Sequence, residues 1–156
     1  VMALWLGLMK IAEEAGMVKA MGNLMKPLLV KLFPEIPADH PAMGSIVANM
    51  AANFFGLGNA ATPLGIKAMQ ELQLLNDNKD EASNSMVMFL AINTSSVTLI
   101  SSSTIAYRVA AGSANATEII APTIVATIMS TAVAIISCKF LEKLPKYKRE
   151  KIEIKK

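Results

Sequence analysis

Asn49-Met50-Ala51-Ala52-Asn53-Phe54-Phe55-Gly56-Leu57-Gly58-Asn59-Ala60-Ala61-Thr62-Pro63-Leu64-Gly65 begins as an apolar helix, dissolves into glycine and asparagine, and restarts at a threonine followed by proline. The break lies inside 27 consecutive uncharged residues, 40–66, where free backbone amides and carbonyls would otherwise face hydrocarbon. In a bilayer those groups need partners, so discontinuous helices persist only inside protein or beside a watery cavity, and often form binding sites there. The stretch predicts an all-α, polytopic integral membrane protein whose discontinuous helices, broken or re-entrant, surround a polar centre.

The rest of the chain supports that class. Its 156 residues suit one domain, with 53% hydrophobic and only 17% charged residues against about 25% charged in ordinary globular chains. Two further windows carry no charge, 82–107 (26 residues) and 119–138 (20 residues), and a spanning helix needs about 20. A soluble bundle would scatter Lys and Glu along the wet face of each helix; these windows have no such face. The lipid bilayer is therefore the first expected partner.

The net charge of +3 hides an asymmetry. Residues 139–156 hold eight Lys or Arg and three Glu, a net of +5, leaving −2 for the rest. A basic segment directly after a hydrophobic span reads as cytoplasmic by the positive-inside rule, so the chain divides into a membrane domain, 1–144, and a basic cytoplasmic tail, 145–156. The same charges would also serve as a solubilising tail. Nucleic acid is not an expected partner, because the tail has one aromatic, Tyr147, and no binding motif. Cys138 is the single cysteine, so neither an internal disulfide nor a cysteine metal cluster can form. Val1 opens straight into an apolar run without the charged start of a signal peptide, so an N-terminal truncation is expected, with residues 1–11 the end of a longer helix.

Met17, Met21, Leu24, Met25, Leu28, Leu29 and Leu32 recur at three- and four-residue spacing with Lys19, Lys26 and Lys31 off the stripe. This predicts an amphipathic helix that either rests in the membrane interface or packs on its neighbours, kinked at Pro27. After a proline-rich turn, Asp39 or His40 caps a helix with Pro41 in its first turn. That helix runs to about Phe55, roughly 22 Å at 1.5 Å per residue, short of a hydrocarbon core of about 30 Å. Gly44, Ala48, Ala52 and Gly56 form a small-residue ladder suited to helix packing, while Asn49 and Asn53 share an adjoining face. The chain then breaks over 56–61, with Thr62 expected as N-cap and Pro63 as first residue of the next helix. Asn49, Asn53, Gly56, Gly58, Asn59 and Thr62 would converge on a substrate or ion pathway. The alternative is interhelical glue, with asparagines bonding across helices.

The outline repeats. The acidic loop over 77–81 suits the start of a helix to Ile92 that meets Asn93-Thr94-Ser95-Ser96, and a further segment from Val97 leads to Arg108 and ends at Gly112 and Ser113. Asn93, Thr94 and Ser95 are assigned to the same pathway. Two helix, break, helix units of this kind resemble the paired broken helices of transporters. Arg108 serves as an interfacial anchor or turns inward to an acid. Residues 119–138 form the plainest span, with Thr123, Thr127, Ser130 and Thr131 offering hydroxyls to neighbours. No GxSxG, HExxH or phosphate loop is present and the only histidine is His40, so no enzyme, cofactor or metal site is expected.

Leu6-Gly7-Leu8-Met9-Lys10-Ile11-Ala12-Glu13, Leu32-Phe33-Pro34-Glu35-Ile36-Pro37, Gly56-Leu57-Gly58-Asn59-Ala60-Ala61-Thr62-Pro63 and Phe89-Leu90-Ala91-Ile92-Asn93-Thr94-Ser95 are similar to the spore maturation protein A branch of the nucleoside recognition, or Gate, domain family of bacterial membrane proteins. The resemblance covers nearly the whole chain. It implies an inner-membrane protein that acts with a spore maturation protein B-like subunit, or as a homo-oligomer, in dehydrating the spore core. Gate domains also occur in ferrous-iron and nucleoside transporters, which favours transport or a pore. The Gate motif maps onto residues 53–62 and 93–95; Ser101 stands where a proline would be expected after Leu99-Ile100. No aromatic pair or acidic residue lies near the motif to hold a base and ribose. Two functions follow: a transport or pore-forming subunit, or a non-transporting assembly or scaffold subunit.

Overall fold

The computed structural model describes residues 11, 14–37, 39–56, 58–95, 97–99 and 101–144, of which 17–23, 58–60 and 102–103 by backbone alone. Among them are six helices and no strand: α1 (Met17–Leu32), α2 (Pro41–Phe54), α3 (Gly58–Leu74), α4 (Asn84–Ser95), α5 (Ser102–Ala110) and α6 (Ile120–Glu142). The all-α class is therefore as expected. The helix end expected over 1–11 falls outside the described residues except at Ile11, and the tail over 145–156 lies wholly outside them.

Local chemistry sets the boundaries. Phe33 closes α1 with its N–H on the Leu29 carbonyl (2.8 Å), and the proline-rich turn leads into α2. His40 is the N-cap: its backbone is extended, its Nδ1 accepts from the Ala42 N–H at 3.2 Å, and Pro41 takes the first helical position, where its missing N–H costs nothing. At the other end Gly56, at φ +70°, donates its N–H to the Asn53 carbonyl (2.9 Å). This left-handed stop, open to glycine at little cost, reverses the chain.

α3 then starts at Gly58, four residues before the expected Thr62 cap, and Pro63 sits inside it. The early reversal at Gly56 frees 58–61 to form the first turn, and Ala60 and Ala61 are strong helix formers. Pro63 offers no N–H to the carbonyl of Asn59 and is tolerated one turn into the helix. The second break shifts as well. Asn93, Thr94 and Ser95 lie in the last turn of α4, not beyond it, because Thr94 Oγ1 bonds the Leu90 carbonyl and Ser95 Oγ the Ala91 carbonyl, both at 2.8 Å. Bonded back to their own helix, these hydroxyls no longer compete for the backbone. α4 begins at Asn84, with Ser83 Oγ accepting from the Met86 N–H at 3.2 Å, so Ser83 and not the acidic loop provides the start. α5 ends as expected at Gly112 (φ +74°), where Gly112 N–H bonds Val109 O and Ser113 N–H bonds Arg108 O, each at 3.0 Å, the two bonds of a Schellman cap.

α2 and α3 pack most extensively, as an antiparallel hairpin; α1 lies against α2, and α4 contacts α2, α3 and α6. The main core draws Leu29 and Phe33 from the end of α1, Ala42, Met43 and Ile46 from α2, Leu72 from α3 and Phe89 from α4. Burying a side chain as large as Phe33 or Phe89 contributes about 1.5–3 kcal/mol. This core lies toward the start of α2 and the end of α3, away from their break. The α1 stripe divides: Met25, Leu29 and Leu32 join the core, while Leu24 and Leu28 are exposed.

The first two uncharged windows hold shorter pieces than a single span. α2, α3 and α4, of 14, 17 and 12 residues, are about 21, 26 and 18 Å long at 1.5 Å per residue, below a hydrocarbon core of about 30 Å. Among the described residues only α6, 23 residues long, is long and apolar enough to cross a membrane, and 6% of its most apolar window is buried. Val125, Met129, Val133, Ile136 and Phe140 are exposed along it.

Candidate functional site at the helix break

Asn49, Asn53 and Asn93 meet where α2 turns into α3. Asn49 is fully buried, and its Nδ2 donates to the Ala61 carbonyl at 2.7 Å, binding the first turn of α3 to the last turns of α2. Asn53 Nδ2 donates to Asn49 Oδ1 at 3.3 Å and to Asn93 Oδ1 at 2.6 Å, carrying the chain of amides into α4. Three helices are thus joined by side chains with no net charge. In apolar surroundings each bond is electrostatically stronger than in water, and each unpaired amide would be costly.

Gly65 makes the approach possible. A Cβ there would stand 3.0 Å from Asn49 Nδ2 and 3.5 Å from Asn93 Nδ2, so a side chain would compete with the amides for the same space. The second break joins the first through the backbone: the Leu99 N–H donates to the Phe54 carbonyl, the last of α2, at 3.0 Å. The Ser95 carbonyl, at the end of α4, accepts from Thr131 Oγ1 of α6 at 3.0 Å. Carbonyls that a helix end leaves without an internal partner are here satisfied by other segments.

An open groove of about 590 Å³ adjoins the cluster, walled by Thr62, Gly65, Gln70 and Gln73 of α3 and by Phe89 and Asn93 of α4. Gln73 is committed to the 73–81 turn, with Nε2 on the Lys79 carbonyl (3.0 Å) and Oε1 accepting from Asn76 (3.1 Å). Gln70 is exposed.

The nine residues expected on a pathway are therefore dispersed. Asn49, Asn53 and Asn93 come together; Thr62 lies on the groove wall; Gly56 makes the turn and Gly58 opens α3. Thr94 is exposed and, like Ser95, hydrogen-bonded to its own helix. The side chain of Asn59 lies outside the described residues. Of the packing ladder, Ala52 is buried beside Ala61, with Phe55 and Leu64 against them; Ala48 is half-buried; Gly44 is exposed with nothing within 4 Å of a Cβ built there. Arg108 turns onto the following loop, its Nη2 on Ser113 Oγ (3.3 Å) and the Asn115 carbonyl (3.1 Å).

Sequence reasoning missed Gly65, Gln70 and Phe89. Gly65 had a signal: Ala61, Gly65 and Ala68 repeat at four and three residues, a second small-residue row on α3 facing α2. Gln70 and Phe89 had none, since only the packing of α3 beside α4 makes them neighbours. Among the described residues no group of three His, Cys, Asp or Glu could hold a metal ion. What the arrangement offers chemically is neutral hydrogen bonding.

Residues 1–114 match the family model for nucleoside recognition, named Gate. Spore maturation protein A of Bacillus subtilis (strain 168) is 52% identical over 151 residues, which cover 97% of this chain and 75% of that protein. No solved structure gives a significant match.

Proposed function

The chain belongs to the nucleoside recognition (Gate) family, and from that premise we propose that it is a multi-pass membrane subunit of a transport or pore-forming assembly. Its identity to a spore maturation protein supports a role in sporulation, which we take to be dehydration of the spore core together with a B-type spore maturation partner. The short helices that meet at the break act as re-entrant or broken segments, α6 crosses the bilayer, and the basic tail lies in the cytoplasm. The chain works without catalysing a reaction.

One observation carries the reading: the amide chain Asn49–Asn53–Asn93 is drawn from two separate helices and lies at a helix break, beside a groove. A polar group in a membrane helix is expensive and commonly marks a pathway. The assembly reading is favoured by a different observation, that these amides satisfy one another, as glue would. Proteoliposomes containing the protein, with and without the partner, separate the two readings. Solute flux that vanishes with Asn53→Leu, while the protein still inserts and assembles, supports transport. Full insertion and a stable complex with no flux of ions or small polar solutes would refute it and leave the scaffold.

A further inference from the structure

The orientation of the amides restricts what the groove can hold. Asn93 Oδ1 faces the cluster and accepts from Asn53 at 2.6 Å, and Asn49 Oδ1 likewise accepts from Asn53 at 3.3 Å. These two acceptor oxygens are turned inward. Asn93 Nδ2 instead lies over Gly65 on the groove wall, 3.5 Å from where a Cβ would stand. The absence of a Cβ there lets the Asn93 amide lie against the α3 backbone at the edge of the groove.

No lining residue is charged: beyond those already named, the wall consists of Ile66, Met69 and Leu90. The charged residues of this part of α3, Lys67 and Glu71, approach each other to 4.0 Å and are not in the lining. A metal cation would find few oxygen ligands, although cation pores depend on rings of them. An anion would meet donors without a compensating charge, and removing an ion from water costs several kcal/mol unless a partner offsets it. A neutral molecule escapes that penalty. Its oxygen can accept from Asn93 Nδ2, Gln70 can bond a second polar group, and its carbon skeleton can lie against Phe89 and Met69. A volume of about 590 Å³ falls in the range of small-molecule sites, roughly 300–1,000 Å³.

We propose that the α3–α4 groove binds a small uncharged solute through an acceptor oxygen, and that such solutes, not ions, are what the assembly passes. The second clause rests on the transport reading; the first does not.

The test uses the full-length protein in liposomes with the B-type partner. Glycerol and erythritol entry is followed by light scattering, and potassium and chloride permeation by diffusion potentials. Wild type should pass glycerol and erythritol but neither ion. Gln70→Leu, at an exposed position where folding is safe, should slow the neutral solutes several-fold, and Gln70→Glu should open a potassium permeability. Binding is read separately with Ile66→Cys, an exposed position on the groove wall, in a Cys138→Ser background, whose maleimide labelling erythritol should slow several-fold and potassium chloride should not. Protection without permeation of any probe upholds the site and overturns transport. Potassium or chloride passing as readily as glycerol overturns the solute class while transport stands. Absence of protection by erythritol overturns the binding site.

Discussion

Gly65→Ala tests the close approach at the break, and Gly44→Ala is its internal control. Both glycines lie inside helices, α3 and α2. An alanine in a helix interior gains about 0.8–1 kcal/mol over glycine, so the two substitutions start from the same intrinsic advantage. At Gly44 nothing lies within 4 Å of the new methyl, and the gain is kept. At Gly65 the methyl would stand 3.0 Å from Asn49 Nδ2, closer than ordinary contact. Asn49 cannot yield freely, because it is fully buried and its Nδ2 is held 2.7 Å from the Ala61 carbonyl. Overpacking of this kind costs about 1–3 kcal/mol, and a displaced hydrogen bond adds about 1 kcal/mol. Gly65→Ala should therefore be less stable than Gly44→Ala by about 2–4 kcal/mol, which at about 2–4 °C per kcal/mol for a chain of this size separates their Tm values by several degrees or more. Thermal unfolding of the purified protein in one detergent measures both. Equal stabilisation by the two substitutions would refute the packing of Asn49 and Asn93 over Gly65.

Other substitutions probe the supports of the site. Thr131→Val removes the hydroxyl that bonds the Ser95 carbonyl and should destabilise by about 1 kcal/mol. Thr127→Val, whose hydroxyl bonds the carbonyl of Thr123 in its own helix, should change stability by less than about half of that, and paired unfolding curves compare them. His40→Ala loses the cap on the Ala42 N–H and should lower stability by about 1 kcal/mol, largely restored in His40→Ser; equal Tm values for the two variants would count against the cap. With Cys138→Ser as background, Lys148→Cys should react with an impermeant maleimide only after the membrane is opened if the tail is cytoplasmic. Labelling in intact cells would reverse that orientation.

Much of the architecture was legible because it depends on residues with few conformational options. Pro41 after His40 marked the start of α2, and Gly112 marked the end of α5, since a fixed φ and a positive φ are local demands. The asparagine faces were legible from spacing alone, which put Asn49 and Asn53 one turn apart. Thr62-Pro63 misled because a threonine and a proline suit a helix start but do not compel one; the left-handed turn at Gly56 had already reversed the chain. Asn93 to Ser95 read as a break because hydroxyls and amides usually compete with the helix, whereas here their bonds are made within α4 or across to α2. The joining of Asn53 to Asn93 spans 40 residues, and no local rule reaches that far. The uncharged windows told of an apolar setting but not of how many helices each would hold.

The bond from the Leu99 N–H to the Phe54 carbonyl acts as a latch between the two interruptions. Straightening either would have to cut it, at a net cost of about 0.5–1.5 kcal/mol in water and more where no water can replace the lost partner. The amide link between Asn53 and Asn93 spans the same gap from the side-chain side, so the two bonds fasten one joint twice. Opening the joint therefore means breaking a backbone bond and a side-chain bond together, so each interruption resists displacement relative to the other by more than either bond alone would provide.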